Sequence, residues 1–68
     1  MNMLPVSSTN LVAVGYDSSA QELTIEFNSG VYTYTGVPQF IYEELMSAPS
    51  MGSYHHQKIK KYPFRRGY

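Results

Sequence analysis

The sequence predicts a small α+β domain in which a three-stranded antiparallel meander is covered on one face by two short C-terminal helices. Two observations lead to this fold class. Residues 10–34 alternate apolar and polar side chains with turn residues between the runs, and apolar residues recur at helical spacing only after Pro38. At 68 residues the chain has room for one domain.

The first strand is predicted from Asn10 to Tyr16. It follows a lead-in, residues 1–9, where Pro5 and a Ser-Ser-Thr run favour loose, extended structure. Two alternating sets of side chains can face the core. The bulkier set is Val12, Val14 and Tyr16, and the smaller set is Leu11, Ala13 and Gly15. The bulk of the first set favours it as the buried one.

The second and third strands, residues 22–28 and 31–35, form a hairpin whose register depends on its turn. With Ser29-Gly30 as a two-residue turn, Phe27 faces Tyr32, and both tyrosines of the third strand join the apolar face. A three-residue turn shifts the pairing by one residue and turns both tyrosines to the opposite face. The first register is favoured because it places ring against ring.

Two helices are predicted after the hairpin. Pro38 suits the first helical position, because its missing amide hydrogen has no partner there. The apolar stripe of this helix is Phe40, Ile41 and Leu45, with Met46 and Ala48 beside it. Pro49 ends the first helix and Ser50 caps the second. The second carries Met51, Tyr54, Lys58 or Ile59, and Tyr62 at helical spacing, and Pro63 forbids its continuation. The expected organisation is therefore a flexible lead-in at 1–9, one domain at 10–64 and a basic, aromatic tail at 65–68.

Composition excludes several kinds of chemistry. The chain has no cysteine, which removes disulfides, thiolate zinc sites and thiol nucleophiles, and a reducing compartment is the default. The N-terminus lacks the positive charge and apolar run of a secretory signal. A cytoplasmic location without a membrane partner is expected. The net charge is zero, but all five acidic residues precede residue 45 and all five basic residues follow residue 57.

Several short motifs occur in order along the chain: Tyr32-Thr33-Tyr34, Gly36-Val37-Pro38, Ser50-Met51-Gly52 and Lys61-Tyr62-Pro63-Phe64. In this order and spacing the sequence resembles the KTSC domain from about Ser7 to Phe64. That family is named for its occurrence at the C-terminus of some lysyl-tRNA synthetases, and it also occurs as small stand-alone bacterial and phage proteins. This sequence differs from the family pattern at His55, where an apolar ring is more usual, and at Met51, where a basic residue is common.

The resemblance implies an accessory module suggested to bind RNA, and the C-terminal residues offer suitable side chains. Cations can contact phosphates while aromatic rings stack on unpaired bases. The candidate nucleic-acid-binding residues are Lys58, Lys60, Lys61, Arg65, Arg66, Tyr62, Phe64 and Tyr54. RNA such as tRNA is the expected partner. The alternative interpretation of this segment is a solvated helix end with a frayed tail.

No catalytic, cofactor or metal site is predicted. His55 and His56 are adjacent, so on a helix they point about 100° apart, whereas a chelating pair needs a spacing of three or four. No serine lies in a nucleophile elbow, and no glycine spacing fits a phosphate loop. The sequence thus predicts a protein that is not an enzyme, with no small-molecule substrate. The alternative function is a protein-interaction or self-association module without nucleic-acid affinity.

Overall fold

The computed structural model describes residues 2–68, and it confirms an α+β fold with one antiparallel sheet and two C-terminal helices. The sheet has five strands rather than the predicted three, in the order β1-β2-β3-β4-β5. The strands are β1 (Leu4–Pro5), β2 (Leu11–Asp17), β3 (Glu22–Phe27), β4 (Gly30–Tyr34) and β5 (Phe64–Arg66). The helices are α1 (Gln39–Ser47) and α2 (Met51–Tyr54), and α2 continues as a π-helical turn over His55–Ile59.

The two additional strands lie at the edges of the sheet. Leu4 and Pro5 pair with Val14 and Ala13 of β2, and β5 pairs with the last three residues of β4. Strands of two or three residues carry no alternation that a sequence pattern can detect. Pro5 is compatible with β1 because an edge strand tolerates a residue without an amide hydrogen.

A β-bulge in β2 changes which of its residues face the core. Pairing with β3 shifts between Leu11 and Ala13, so Val12 has no partner of its own. Val14 lies on the core face opposite Ile25, as predicted, but Leu11 takes the place that alternation assigns to Val12. Leu11 is buried, whereas Val12 is 40% exposed. The prediction that Val12 faces the core was wrong because strict alternation ends at the bulge.

The hairpin between β3 and β4 has the predicted faces but a different register. Phe27 pairs with Gly30, Ile25 with Tyr32 and Leu23 with Tyr34, so Asn28 and Ser29 form the turn. Both predicted registers were wrong. Pairing is displaced by two residues from the favoured one, and an even displacement keeps Tyr32 and Tyr34 on the face of Leu23 and Ile25. Gly30 belongs to the strand rather than the turn because it pairs with Phe27, and its φ of +150° favours glycine at this position.

The helices pack on the face of the sheet that carries these apolar residues. Ile41 and Leu45 of α1 are buried, but Phe40 is 57% exposed, so its assignment to the buried stripe was wrong. Pro38 is the N-cap residue of α1 instead of its first helical residue. Ser50 caps α2 as predicted, because its hydroxyl accepts a hydrogen bond from the amide of Ser53. Ile59, not Lys58, is the buried residue of the π-helical turn.

The core lies between the helices and this face of the sheet. Its completely buried side chains are Val14, Leu23, Ile25, Val37, Leu45 and Ile59. The opposite face carries Thr24 and Thr33, which are also buried and whose hydroxyls lie 2.8 Å apart. Thr33 Oγ1 donates to the carbonyl of Gly67 at 2.7 Å, so the end of the chain is held against the outer side of the sheet.

The helices of residues 2–68 are all too short to cross a lipid bilayer.

Candidate functional site

An open groove of about 360 Å³ lies beside the edge of the sheet formed by β4 and β5. Five rings line it: Phe27, Tyr32, Tyr34, His55 and Phe64. Lys60, Arg66 and Ser29 complete the lining. The residues come mainly from β3, β4, β5 and the π-helical turn, so four parts of the fold meet in one site.

The rings contact one another edge to face, except for the pair Tyr34–Phe64, whose planes are tilted by 43°. The ring centroid of His55 lies 4.9 Å from that of Phe27 and 5.4 Å from that of Tyr34. Phe64 lies 5.7 Å from both Tyr32 and Tyr34. These distances are the preferred ones for aromatic pairs, and each pair adds roughly 0.5 to 1.5 kcal/mol beyond its buried area. The rings therefore form a packed wall.

Lys60 and Arg66 give the groove a positive charge. Arg66 is opposite Tyr32 in the β4–β5 pairing, and its Cζ lies 5.8 Å from the centre of that ring, within cation–π range. No aspartate or glutamate is among the lining residues. The groove thus combines aromatic surface with two cations that no carboxylate in the lining neutralises.

The π-helical turn accounts for the position of Lys60. The amide of Lys60 donates to the carbonyl of His55 at 2.9 Å, a bond that spans five residues instead of the four of an α-helix. An α-helix would place Lys60 about 140° around the axis from His55. The wider turn brings both residues to the groove.

Tyr34 and His55 are joined at the floor of the groove by a hydrogen bond of 2.7 Å between the phenol oxygen and Nε2. Burial lowers the pKa of His55 from its ordinary value, and the nearby Lys60 and His56 lower it further. Burial also raises the pKa of Tyr34, with Tyr32 contributing. Both groups are therefore neutral at pH 7, and the positive charge of the groove comes from Lys60 and Arg66.

The structure separates the candidate residues predicted from the sequence. Lys60, Phe64 and Arg66 lie together in the groove. Arg65 points to the opposite face of the sheet, because neighbouring strand residues alternate, and its Nη1 forms an ion pair with Glu22 at 3.1 Å. This hydrogen-bonded pair raises the pKa of Arg65.

The remaining candidates lie outside the groove lining. Lys58 and Lys61 are exposed, and Lys61 Nζ lies 5.7 Å from the ring centre of the half-buried Tyr62. The hydroxyl of Tyr54 donates to Glu44 Oε1, which links α2 to α1. Burial and this contact with Glu44 raise the pKa of Tyr54 to about 12.

The candidates predicted from the sequence include only one of the five groove rings, Phe64; they leave out Phe27, Tyr32, Tyr34 and His55. The alternation of β3 and β4 correctly turns Tyr32 and Tyr34 toward the core face, but a core-facing residue near the sheet edge can still reach the surface. Tyr34 is indeed buried, whereas Tyr32 is half-buried and contributes to an open surface. The sequence feature that could have indicated these residues is the pair Tyr32 and Tyr34. They lie on β4, and the only strand between β4 and the edge of the sheet is the three-residue β5.

A second, larger cleft of about 1040 Å³ separates the segment Val6–Asn10 from the start of α2. Half of its lining residues have hydroxyl or amide side chains, His56 supplies the one aromatic ring, and the lining contains no lysine or arginine. Gly52 packs closely beside it: a Cβ there would lie 3.0 Å from Asn10 Nδ2, so the exposed Asn10 side chain would have to shift to make room. The Ser-x-Gly motif therefore serves helix capping and close packing.

Across residues 2–68, His, Asp and Glu side chains do not gather in threes that could hold a metal ion.

The comparison with known families identifies the domain. The sequence profile of the KTSC domain matches residues 7–64. This chain belongs to the KTSC domain family. The crystal structure of a KTSC domain protein from Yersinia pestis has the same fold, with a TM-score of 0.95 and 36% identity over 98% of this chain and 97% of that one.

Relatives include both stand-alone KTSC chains and segments of large enzymes. A Stutzerimonas stutzeri protein is 35% identical over 96% of this chain and 93% of its own length. A lysine–tRNA ligase of Trichormus variabilis is 54% identical over 66% of this chain, and one of Nostoc sp. is 42% identical over 85%. The chain spans 8% and 10% of the length of these two ligases.

Proposed function

We propose that this KTSC domain is a non-catalytic accessory module that binds RNA in preference to DNA and takes an unpaired strand. The observation that carries the proposal is the groove, where exposed aromatic surface adjoins Lys60 and Arg66 and no carboxylate. Proteins that bind single strands combine stacking rings with cations that follow the backbone.

The relatives support RNA as the partner. KTSC segments occur within lysine–tRNA ligases, and tRNA contains single-stranded loops and ends whose bases are free to stack. The proposed partner is therefore an RNA such as tRNA.

The proposed contacts form two zones. Lys60, Arg66 and Phe64 form the inner zone at the groove. The outer zone contains the other predicted residues, which can meet the flanking backbone: Lys58, Lys61, Tyr62, Arg65 and Tyr54. Arg65 and Tyr54 contribute least in this arrangement, because Glu22 and Glu44 already occupy their polar groups.

Titration of fluorescently labelled tRNA at 50 mM and 200 mM salt tests the proposal. We expect binding at low salt that weakens at high salt, with a slope near −0.7 per backbone contact on single strands. Replacing Lys58, Lys60, Lys61 and Arg66 by glutamine abolishes this affinity. Arg65 is kept in this variant so that its ion pair with Glu22 still supports the fold, and a fifth substitution, Arg65→Gln, is added in a second variant.

Absence of binding at low salt, or binding that is unchanged in both variants, would overturn the RNA proposal. Measurement of molecular mass at two protein concentrations completes the design. A concentration-dependent dimer without RNA affinity would instead favour a protein-interaction module.

A further inference from the structure

We infer that the aromatic groove holds a single unpaired nucleotide, with its base against the rings and its phosphate between Lys60 and Arg66. This inference rests on the proposed RNA-binding function and assigns one site within it. The cationic outer zone then contributes affinity without contacting this nucleotide.

The size and lining of the groove suit one nucleotide. A volume of about 360 Å³ lies at the lower end of the range for small-ligand sites. Phe64 is 57% exposed at the groove, although its ring touches those of Tyr32 and Tyr34. A nucleic-acid base that packs on the exposed part of Phe64 would shield this apolar surface from water.

The charges of the groove select an anion. Lys60 and Arg66 are the charged residues of the lining, and both are cationic. A methylated amine, the other ligand that aromatic clusters commonly bind, would be repelled by these cations. A wholly apolar ligand would leave both cations without a partner. A flat ring that carries a phosphate uses both features.

The site also favours single strands. A base inside a duplex presents only its edges, so its face cannot pack on these rings until it is unstacked. The groove is open at the surface, so a base in a loop or at an end enters without such a cost. A hexauridylate strand is therefore expected to bind more tightly than a duplex of six base pairs.

Two pairs of matched variants test the site. Phe64→Leu removes a groove ring, and Phe40→Leu removes a ring of α1 with the same 57% exposure. Lys60→Gln removes a groove cation, whereas Lys58→Gln removes an exposed cation outside the lining. The affinity for labelled hexauridylate is measured for each variant, and circular dichroism checks that each is folded.

We expect Phe64→Leu to weaken binding at least fivefold, because stacking on one ring contributes about 1 to 3 kcal/mol. Phe40→Leu stays within twofold of the unchanged protein. Lys60→Gln weakens binding more than Lys58→Gln does, which distinguishes a defined phosphate site from general attraction. Lys60 is exposed, so this comparison remains decisive if Phe64→Leu does not fold.

The possible outcomes distinguish failure of the nucleotide site in the groove from failure of the proposed RNA-binding function. Hexauridylate binding that Phe64→Leu and Phe40→Leu affect equally, with equal effects at the two lysines, overturns the groove assignment and leaves the RNA-binding function standing. If neither tRNA nor hexauridylate binds, uridine 5′-monophosphate is added at millimolar concentration and followed by NMR. Shifts at Tyr32 and Phe64 would then support the groove site while the RNA function fails, and no shifts would overturn both.

Discussion

His55 is the residue on which the groove depends most closely. Its ring touches Phe27 and Tyr34, and its Nε2 is hydrogen bonded to the Tyr34 phenol. Its backbone carbonyl accepts the π-helical bond from Lys60. The side chain of His55 thus supports the packed rings of the groove, and its main chain fixes the position of Lys60.

Protonation of His55 should destabilise the fold. Burial lowers its pKa below the ordinary 6.5, so the unfolded chain takes up a proton first as the pH falls. The contribution of His55 to the free energy of unfolding should not change with pH above 6.5. As the pH falls from 6.5 through the lowered pKa, the free energy of unfolding should decrease. Urea denaturation at pH 7.5 and pH 5 measures this change.

The matched variants for the pH measurement are His55→Phe and His56→Gln. His55→Phe keeps a ring against Phe27 and Tyr34 but cannot be protonated, so it should lose much less stability between the two pH values. His56→Gln removes an exposed neighbour that is the smallest of the three causes lowering the pKa of His55, so this variant should retain most of the wild-type dependence. Equal pH dependence in all three proteins would contradict the assignment of the effect to His55.

At the scale of elements, β5 decides whether the groove exists. It carries Phe64 and Arg66 into the lining, and it is held by pairing with β4, by the Arg65–Glu22 ion pair and by the bond from Thr33 to the Gly67 carbonyl. Gly67 has a φ of +89°, and its amide also bonds to Val31 at 2.8 Å. Contacts on the outer face of the sheet therefore hold β5 in place, and the side chains on the inner face of β5, Phe64 and Arg66, line the groove.

Thr33→Val should destabilise the protein by about 1 to 3 kcal/mol, since it leaves the Thr24 hydroxyl and the Gly67 carbonyl without their partner. Thr24→Val is the matched control at an equally buried position. It should lose less, about 0.5 to 1.5 kcal/mol, because the bond from Thr33 to Gly67 remains. Urea denaturation of both variants gives the comparison, and a larger loss in Thr24→Val would refute the role of Thr33 as the anchor.

The elements also differ in how well the sequence predicts them. The α+β class, the faces of β3 and β4 and the Ser50 cap follow from local patterns of 2.0 and 3.6 residues. The strand β5 depends on a contact between distant segments of the chain. The bulge at Val12 and the turn at Asn28 and Ser29 are local departures that strict alternation does not specify. The groove residues differ in the same way. Lys60, Phe64 and Arg66 could be predicted because basic and aromatic residues are interleaved near the C-terminus. Phe27 and His55 join them only through the packing of the sheet and the π-helical turn.

At the scale of the whole molecule, the zero net charge conceals two regions of opposite sign. Glu43 and Glu44 lie on exposed positions of α1, whereas Lys60 and Arg66 lie at the groove. Glu22 binds Arg65 on the outer face of the sheet. The acidic residues are therefore kept out of the groove, and a protein of zero net charge still has a locally positive surface there.

The central claim is that this groove is where RNA is bound. The most direct measurement is an NMR titration of the ¹⁵N-labelled protein with hexauridylate, following the backbone amides at 50 mM salt. We expect the largest shifts at Tyr32, His55, Lys60 and Phe64. Shifts confined to Lys58 and Lys61, or to the polar cleft around Asn10 and Ser53, would contradict this claim.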